Sequence, residues 1–297
     1  MGLLKKLLKH EKLILIGLPC LSIVVALAVA VPVLISYNKD APVYVPVEEE
    51  AIASFPEAVP IEQIEDEVKT GEPVSPEYTM NMSGPISYFD CNGREASSIG
   101  IDLSYFNGDV NFDAVKKAGI DFVVIRIGGR GWGTGALYYD TCFLKYLHGA
   151  KAAGLKVGVY FYSAAVNRTE ALQEAGLVTS MLDGITLDLP VFFDTEFTGD
   201  YPKGRCDGLT IAERIEIIRA FSYVIENSGY EAGLYASESF VKTELDYNSV
   251  SDLTVWIASY TENNALPDFE DRFDIWQFTD NGRIPGVNGN VDINVVF

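Results

Sequence analysis

Four carboxylates stand out in this sequence because each lies at or near the end of an apolar run. Asp194 and Glu196 belong to "PVFFDTEFTG", Asp102 to "SIGIDLS", and Asp292 to the closing "NVDINVVF". In an extended chain alternate side chains share a face, so Asp194 and Glu196 project the same way, roughly 7 Å apart. Because an unpaired buried carboxylate is costly, these acids are either solvated at a strand end or used together by the fold.

The residue types around these acids indicate carboxylate chemistry. Crowded carboxyl groups raise one another's pKa, and one that stays protonated near neutral pH can act as a general acid. The chain has two histidines, His10 and His148, which is too few for a typical zinc hydrolase site and leaves a Ser or Cys triad dependent on His148. We expect neither a metal nor a cofactor, and hydrolysis of glycosidic bonds is the chemistry that such an acid set fits.

Strands and helices alternate from Ser97 to the end of the chain. Asn167 is the predicted N-cap of the helix "RTEALQEAGLVTSMLDG". Alternation of this kind predicts parallel strands joined by right-handed crossovers, hence an α/β fold, a TIM-like (β/α) barrel that becomes poorer in helices towards its end. The eight predicted strands are "SIGIDLS", "DFVVIRIGG", "KVGVYFYSAA", "LPVFFDTE", "EAGLYAS", "TVWIASY", "FDIWQFT" and "NVDINVVF".

Barrel enzymes collect their functional residues where the strands finish. If the barrel closes, its first and last strands are neighbours, and the four acids converge on one mouth with Arg126 and Arg130 as the nearby bases. We expect a further set of residues near this mouth to bind substrate. It comprises four residues at strand ends and one in the glycine-rich "GRGWGTG": Tyr162, Tyr235, Trp256, Gln277 and Trp132.

The N-terminal sequence predicts a membrane anchor. Residues 1–12 carry four lysines, and residues 13–36 form an uncharged run of about 24 residues, enough to cross a bilayer as a helix. Lysines on the N-terminal side keep that end in the cytoplasm, so the rest of the chain is expected outside. The alternative is a signal peptide cleaved after "AVA" at 28–30, which would give a secreted protein. The apolar run continues past this site, which favours the anchor.

Residues 37–96 are predicted to be an acidic, proline-rich stalk, with six prolines, ten acids and Lys69 as the single base between 41 and 79. A segment of this composition stays extended and forms no hydrophobic core.

Residues 97–297 then form the functional domain, which we expect to be monomeric. The net charge of −20 without a basic stripe argues against nucleic-acid binding. Outside the membrane the cysteines are Cys91, Cys142 and Cys206, an odd number whose pairing stays open.

The order of the motifs resembles glycoside hydrolase family 25, the Chalaropsis-type lysozymes, over about residues 97–297. The first-strand D-x-S, the fourth-strand D-x-E and the terminal V-D-x-N occur together. The stretches that carry the resemblance are "GIDLSYFNGDVNFDAVKKAGIDFVVIRIG", "AKAAGLKVGVYFYS", "PVFFDTE", "GLYAS", "WIASY" and "IWQFTDNGRIPGVNGNVDINVVF". One departure is Cys142, where the family commonly has proline.

The resemblance implies an irregular, flattened (β/α) barrel and a β-1,4-N-acetylmuramidase that acts on peptidoglycan glycan strands. Matched motif by motif, the family's acids fall on Asp102, Asp194, Glu196 and Asp292. Glu196 would be the general acid, and Asp194 would stay charged and orient the substrate's N-acetyl group. An inverting route, in which Asp102 or Asp292 activates water, is the alternative.

Two other functions remain open at this point. A chitinase-like glycosidase would carry another acid two residues before Asp194, where this chain has Phe192. A non-catalytic wall-binding barrel would show a lost acid or a filled cleft.

Overall fold

The computed structural model of the chain describes residues 58–63, 96–198, 203–261 and 266–297. All of them belong to one compact unit, residues 49–297. The predicted tail 1–12 and anchor 13–36 lie outside the described residues, as does most of the predicted stalk. In the ranges that are described, no helix is both long enough and apolar enough to cross a membrane.

The described residues form ten strands and five α-helices. The strands are β1 (Val59–Pro60), β2 (Ser98–Leu103), β3 (Phe122–Arg130), β4 (Leu137–Tyr139), β5 (Lys156–Tyr162), β6 (Val191–Asp194), β7 (Ala232–Ser237), β8 (Thr254–Ala258), β9 (Ile275–Gly282) and β10 (Val291–Val296). The helices are α1 (Phe112–Lys117), α2 (Phe143–Ala152), α3 (Arg168–Met181), α4 (Ile211–Asn227) and α5 (Glu238–Glu244).

Eight strands close into a barrel, as the strand–helix pattern predicts. Their order is β3-β2-β10-β9-β8-β7-β6-β5, and β5 pairs back to β3. Every pairing among these strands is parallel except those of β10, which runs antiparallel to both β2 and β9. The expectation of a wholly parallel sheet is therefore wrong for the last strand. Residues 283–290, which contain no helix, are too short for the crossover that a parallel return requires.

Two strands lie outside the barrel and escaped prediction. Strand β4 pairs antiparallel with the end of β3, and β1 pairs parallel with β4. In the same segment Glu62 Oε1 accepts a hydrogen bond of 2.7 Å from Thr141 Oγ1, and Val59 packs against buried Tyr138. Residues 58–63 of the predicted stalk thus contact β4 and the turn that follows it.

The helices begin and end where local chemistry indicates. The Asn167 side chain accepts from the Glu170 amide at 3.0 Å, which confirms the predicted N-cap of α3. Gly154, with φ +73°, follows the end of α2. Thr210 and Glu213 form a capping box at α4. Helix α5, which follows β7, was not predicted.

The barrel interior is filled by aromatic side chains. Phe122, Phe192 and Trp256 form an inner core that is separate from the larger core between barrel and helices. Two glycines make room for the rings: a Cβ on Gly100 would lie 2.2 Å from Phe122, and one on Gly233 would lie 2.5 Å from Phe192. Because the interior is closed in this way, a ligand has access to the mouth only.

Candidate active site

The reversed direction of β10 brings two of the predicted acids together. Asp102 is the next-to-last residue of β2, and Asp292 is the second residue of β10; they are direct partners in the antiparallel register. Had β10 run parallel, Asp292 would lie at the opposite end of the barrel. The two carboxyl groups are hydrogen-bonded to each other.

The other two acids follow from the end of β6. Asp194 is its last residue and lies in register between Tyr162 of β5 and Tyr235 of β7. Only 3% of Asp194 is exposed. Glu196 lies two residues farther on, is partly buried, and lines an open cleft. The structure thus places each predicted acid at the mouth, with different access to solvent.

Two side-chain amides hold Asp102 from inside the barrel. Gln277 Nε2 and Asn294 Nδ2 each donate to Asp102 Oδ2 at 2.9 Å. Asn294 Oδ1 accepts from the indole of Trp256 at 2.8 Å. On the other side, Gln277 Oε1 accepts from the hydroxyls of two tyrosines, at 2.8 Å from Tyr235 and 2.7 Å from Tyr260.

This environment perturbs the pKa of several groups. Burial raises the pKa of Asp292 well above its usual range, and the neighbouring Asp102 raises it further. Burial also raises the pKa of Asp102, against the opposing effect of its bonds from Asn294 and Gln277. The pKa of Tyr235 is raised by burial first and by Glu196 next. The Asp102–Asp292 pair therefore retains a proton into a higher pH range than a free aspartate does.

The cleft at Glu196 has a volume of about 680 Å³. Two exposed aromatic side chains, Phe197 at 44% and Tyr260 at 54%, offer faces on which a sugar ring can stack. Its far wall is polar: Glu238 accepts hydrogen bonds from Lys242 at 2.7 Å and Ser259 at 2.5 Å. The other lining residues are Tyr235, Ser237, Ser239 and Ala258.

The predicted substrate-binding residues differ in how deeply their side chains are buried. Tyr235 lines the cleft, as predicted, and Tyr162 is partly buried beside Asp194. Trp256 and Gln277 are each only 1% exposed, which leaves no surface for a sugar. The Trp256 ring packs against Tyr235 at 4.4 Å and Phe192 at 5.2 Å between centroids. Trp256 and Gln277 therefore act on the site through their neighbours.

The predicted loop residue lies away from the cleft, and both predicted bases bind carboxylates other than the four acids. Trp132 lies in the turn between β3 and β4, where its carbonyl accepts from the Arg205 amide at 3.0 Å. It is not one of the residues that line the cleft described above. The two arginines expected beside the acids are engaged with other carboxylates: Arg126 with Asp140 at 2.9 Å, and Arg130 with Glu174 at 2.7 Å.

Sequence reasoning gave no role to Asn294, Phe197 or Glu238. The signal for Asn294 is its spacing: it lies two residues after Asp292, so both side chains share a strand face. Glu238 directly follows the end of β7, and Phe197 lies three residues after the end of β6; both lie after the ends of barrel strands, where such proteins carry function. Within the described ranges no group of three or more His, Cys, Asp or Glu is arranged to hold a metal ion. Cys142 and Cys206 are free thiols.

A barrel with acids and an open cleft at its mouth defines the class of carboxylate-dependent barrel hydrolases. Residues 101–287 match the family model "Glycosyl hydrolases family 25". The chain belongs to this family. The match covers the barrel from β2 to the connection before β10.

Known proteins of similar sequence or structure include three bacterial examples. The chain is 30% identical to an "Autolytic lysozyme" of Clostridium acetobutylicum over 195 residues, which cover 66% of this chain and 54% of that protein. The spore cortex lytic enzyme SleM of Clostridium perfringens superposes with a TM-score of 0.58 at 28% identity, covering 67% of each chain.

The modular autolysin LytC of Streptococcus pneumoniae superposes with a TM-score of 0.62 at 22% identity, covering 72% of this chain and 51% of that one, and shows a common fold. The chain therefore spans about half the length of the Clostridium acetobutylicum and Streptococcus pneumoniae proteins.

Proposed function

We propose that this protein is a peptidoglycan hydrolase, a lysozyme that cleaves the β-1,4 bond between N-acetylmuramic acid and N-acetylglucosamine. The observation that carries the proposal is the convergence of four carboxyl groups on one mouth, with Glu196 reaching an open cleft. Membership of family 25 and similarity to a protein named for autolytic lysozyme activity support the substrate class.

Glu196 acts as the general acid in this proposal. It is the predicted acid that lines the cleft, so its proton can reach a glycosidic oxygen bound there. Asp194, the last residue of β6, lies two residues earlier and orients the N-acetyl group of the muramic acid. The acetamido oxygen bonds to C1 as the bond from C1 to the leaving oxygen breaks, and the leaving oxygen takes the proton of Glu196. Glu196, now ionised, takes a proton from a water as the water oxygen bonds to C1 and the bond between C1 and the acetamido oxygen breaks. This step restores the N-acetyl group and protonated Glu196, and the sequence is the substrate-assisted variant of glycoside hydrolysis.

The inverting alternative requires Asp102 or Asp292 to deprotonate a water. Oδ2 of Asp102 already accepts two amide hydrogen bonds. Asp292 shares a hydrogen bond with Asp102 and has a raised pKa, which makes it a poor site of free negative charge. Both observations favour the route through Asp194.

Neither non-lysozyme function finds support in the geometry. A wall-binding module would have a lost acid or a filled cleft, whereas the four acids and an open cleft are present. At the position where a chitinase-like enzyme would have a third acid, Phe192 packs in the barrel interior.

The proposal includes a location outside the cell, at the membrane. The lysines of residues 1–12 and the uncharged run 13–36 support it. With the N-terminus in the cytoplasm, the barrel would work on the wall from the outer face, as a monomer on glycan strands. Release by signal-peptide cleavage is the alternative location.

The bond that breaks identifies the activity. Muramidase action leaves a reducing N-acetylmuramic acid end, which borohydride converts to muramitol. Digestion of purified peptidoglycan, followed by reduction and mass spectrometry, should therefore give disaccharide-peptides that end in muramitol. The Glu196→Gln protein serves as the inactive control.

Other end groups would contradict the proposal in distinct ways. Reduced glucosamine ends would make the protein a glucosaminidase, and anhydro ends would make it a lytic transglycosylase. New amino groups without new reducing sugar would overturn glycoside hydrolysis altogether.

A further inference from the structure

The indole of Trp256 fixes which groups donate and which accept in the hydrogen-bond network around Asp102. The N–H of Trp256 can only donate, so the amide of Asn294 must turn its oxygen towards Trp256 and its nitrogen towards Asp102. Trp256 is 1% exposed and Asn294 is fully buried. Neither side chain can therefore form a hydrogen bond with water instead. Asp102 Oδ2 therefore acts as an acceptor, and the proton shared by Asp102 and Asp292 is not on that oxygen.

The amide of Gln277 is oriented in the same way and connects Asp102 to the cleft. Its nitrogen donates to the acceptor oxygen of Asp102, so its oxygen faces Tyr235 and Tyr260. Each tyrosine has one hydroxyl proton, and both protons are directed at Gln277 Oε1. Both tyrosines line the cleft. Their hydroxyls consequently present lone pairs, and no proton, to a ligand.

We propose that Gln277 is a positioning residue that sets the hydrogen-bond polarity of the cleft. It keeps Oδ2 of Asp102 an acceptor, which favours Asp292 as the holder of the shared proton, and it makes Tyr235 and Tyr260 acceptors for an N–H or O–H group of the substrate. The inference rests on the proposed function, because it describes how the same cleft binds the N–H and O–H groups of the glycan substrate. Gln277 contacts no reacting atom; it acts through Asp102 and the two hydroxyls.

The charged and titratable groups that face this network come from several elements. Asp280 of β9 and Glu196 lie near Asp292, and Glu196 and Asp194 lie near Tyr235. Tyr160 of β5 faces Asp102, Asp194, Asp140 and Arg126. Among these groups Arg126 carries the positive charge, and its Nε already binds Asp140. The surroundings are thus predominantly acidic and favour a protonated member in the Asp102–Asp292 pair.

The variant Gln277→Glu tests the proposal because it can lose and regain the donor. Ionised, the new carboxylate cannot donate to Asp102; protonated, it can donate to Asp102 and still accept from the tyrosines. We expect kcat on peptidoglycan to fall at least about tenfold at pH 7, and the ratio of variant to wild type to recover by about tenfold towards pH 5. Gln277→Leu, which never donates, should show no such recovery.

Two further variants serve as matched controls. Gln63→Glu adds the same acid at an exposed position shortly after β1, and it should keep the wild-type pH profile. Tyr260→Phe removes one acceptor from an exposed position and should raise KM several-fold without moving the pH profile. An unchanged KM in Tyr260→Phe would overturn the acceptor role. Equal losses in Gln277→Glu and Gln277→Leu at every pH would reduce Gln277 to a structural residue.

An infrared titration tests the proton arrangement without relying on hydrolysis. The wild type should show, at neutral pH, a protonated-carboxyl band that is missing from Asp292→Asn, and Gln277→Glu should add a second band that titrates together with the regained activity. No band difference between wild type and Asp292→Asn would overturn the arrangement. A wild type that shows the band but does not cleave peptidoglycan would contradict the proposed function alone.

Discussion

Glu196 and Asp194 are two residues apart in the chain and have different access to solvent. Asp194 ends a barrel strand and is 3% exposed, whereas Glu196 lines the cleft. A pair of acids in unlike environments can divide the roles of proton donor and charged partner. Each carboxyl group can therefore be tested by a substitution that removes its proton or its charge alone.

Substitution of Glu196 by Gln keeps size and hydrogen bonding but removes the transferable proton. We expect hydrolysis of cell walls, measured as loss of turbidity, to fall at least about 10²-fold. Asp194→Asn should also lower the rate strongly, because it removes the charge that orients the N-acetyl group. Glu216→Gln, an exposed position on α4, is the matched control and should retain full activity.

Circular dichroism should show Glu196→Gln folded like the wild type, since removing one acid from a crowded group seldom destabilises. Near-normal turbidity loss by this variant would remove Glu196 as the general acid.

At the scale of elements, a buried cluster ties α3 to the barrel. Arg130 at the end of β3 donates to Glu174 of α3 at 2.7 Å, and Ser163, just after β5, donates to the other oxygen of Glu174 at 2.7 Å. Arg130 also donates to the Gly135 carbonyl at 2.8 Å, which supports the turn that carries Trp132. Glu174 is fully buried, so this connection has a pH dependence.

Burial raises the pKa of Glu174 from 4.5 to about 7. Between these values the folded protein holds a proton that the unfolded chain releases, so this group makes the free energy of unfolding fall as pH rises. The loss is at most about 3 kcal/mol over the window, at about 1.4 kcal/mol per pH unit. Urea unfolding at pH 4.5 and pH 7 should show this fall in the wild type relative to Glu174→Gln.

The comparison between the two proteins isolates Glu174 because every other titrating group is common to both. If wild type and Glu174→Gln lose the same stability between the two pH values, Glu174 has an ordinary pKa, and its ion pair with Arg130 outweighs the cost of burial.

At the scale of the whole molecule, the proposed location at the membrane rests on residues 13–36. A retained anchor predicts that the full-length protein sediments with membranes, and that protease added to intact protoplasts releases the domain. A variant that lacks residues 1–36 should instead stay in the soluble fraction of the cytoplasm, because it has no export signal. Immunoblotting of the fractions measures both.

Recovery of a soluble extracellular form that begins near Val31 would contradict the anchor and support a cleaved signal peptide.

The sequence by itself located the barrel strands and singled out the four candidate acids. Periodicity and caps located all eight barrel strands, and Asn167 marked the start of α3, because these signals depend on residues close in the chain. The motifs around Asp102, Asp194, Glu196 and Asp292 were sufficient to indicate family 25. Composition and charge argue against a zinc hydrolase site and against nucleic-acid binding, and such arguments require no knowledge of contacts.

Only the tertiary structure decided the direction of β10 and the use of the residues that surround the acids. From their position in the sequence, Trp256 and Gln277 cannot be distinguished from strand-end residues that line the cleft. Closure of the barrel buries both of them. Gln277 and Asn294 meet Asp102 across separations of 175 and 192 residues. Which amide faces which carboxylate depends on strand register and on the space left by Gly100 and Gly233. Those quantities arise from packing among distant segments, which no local pattern encodes.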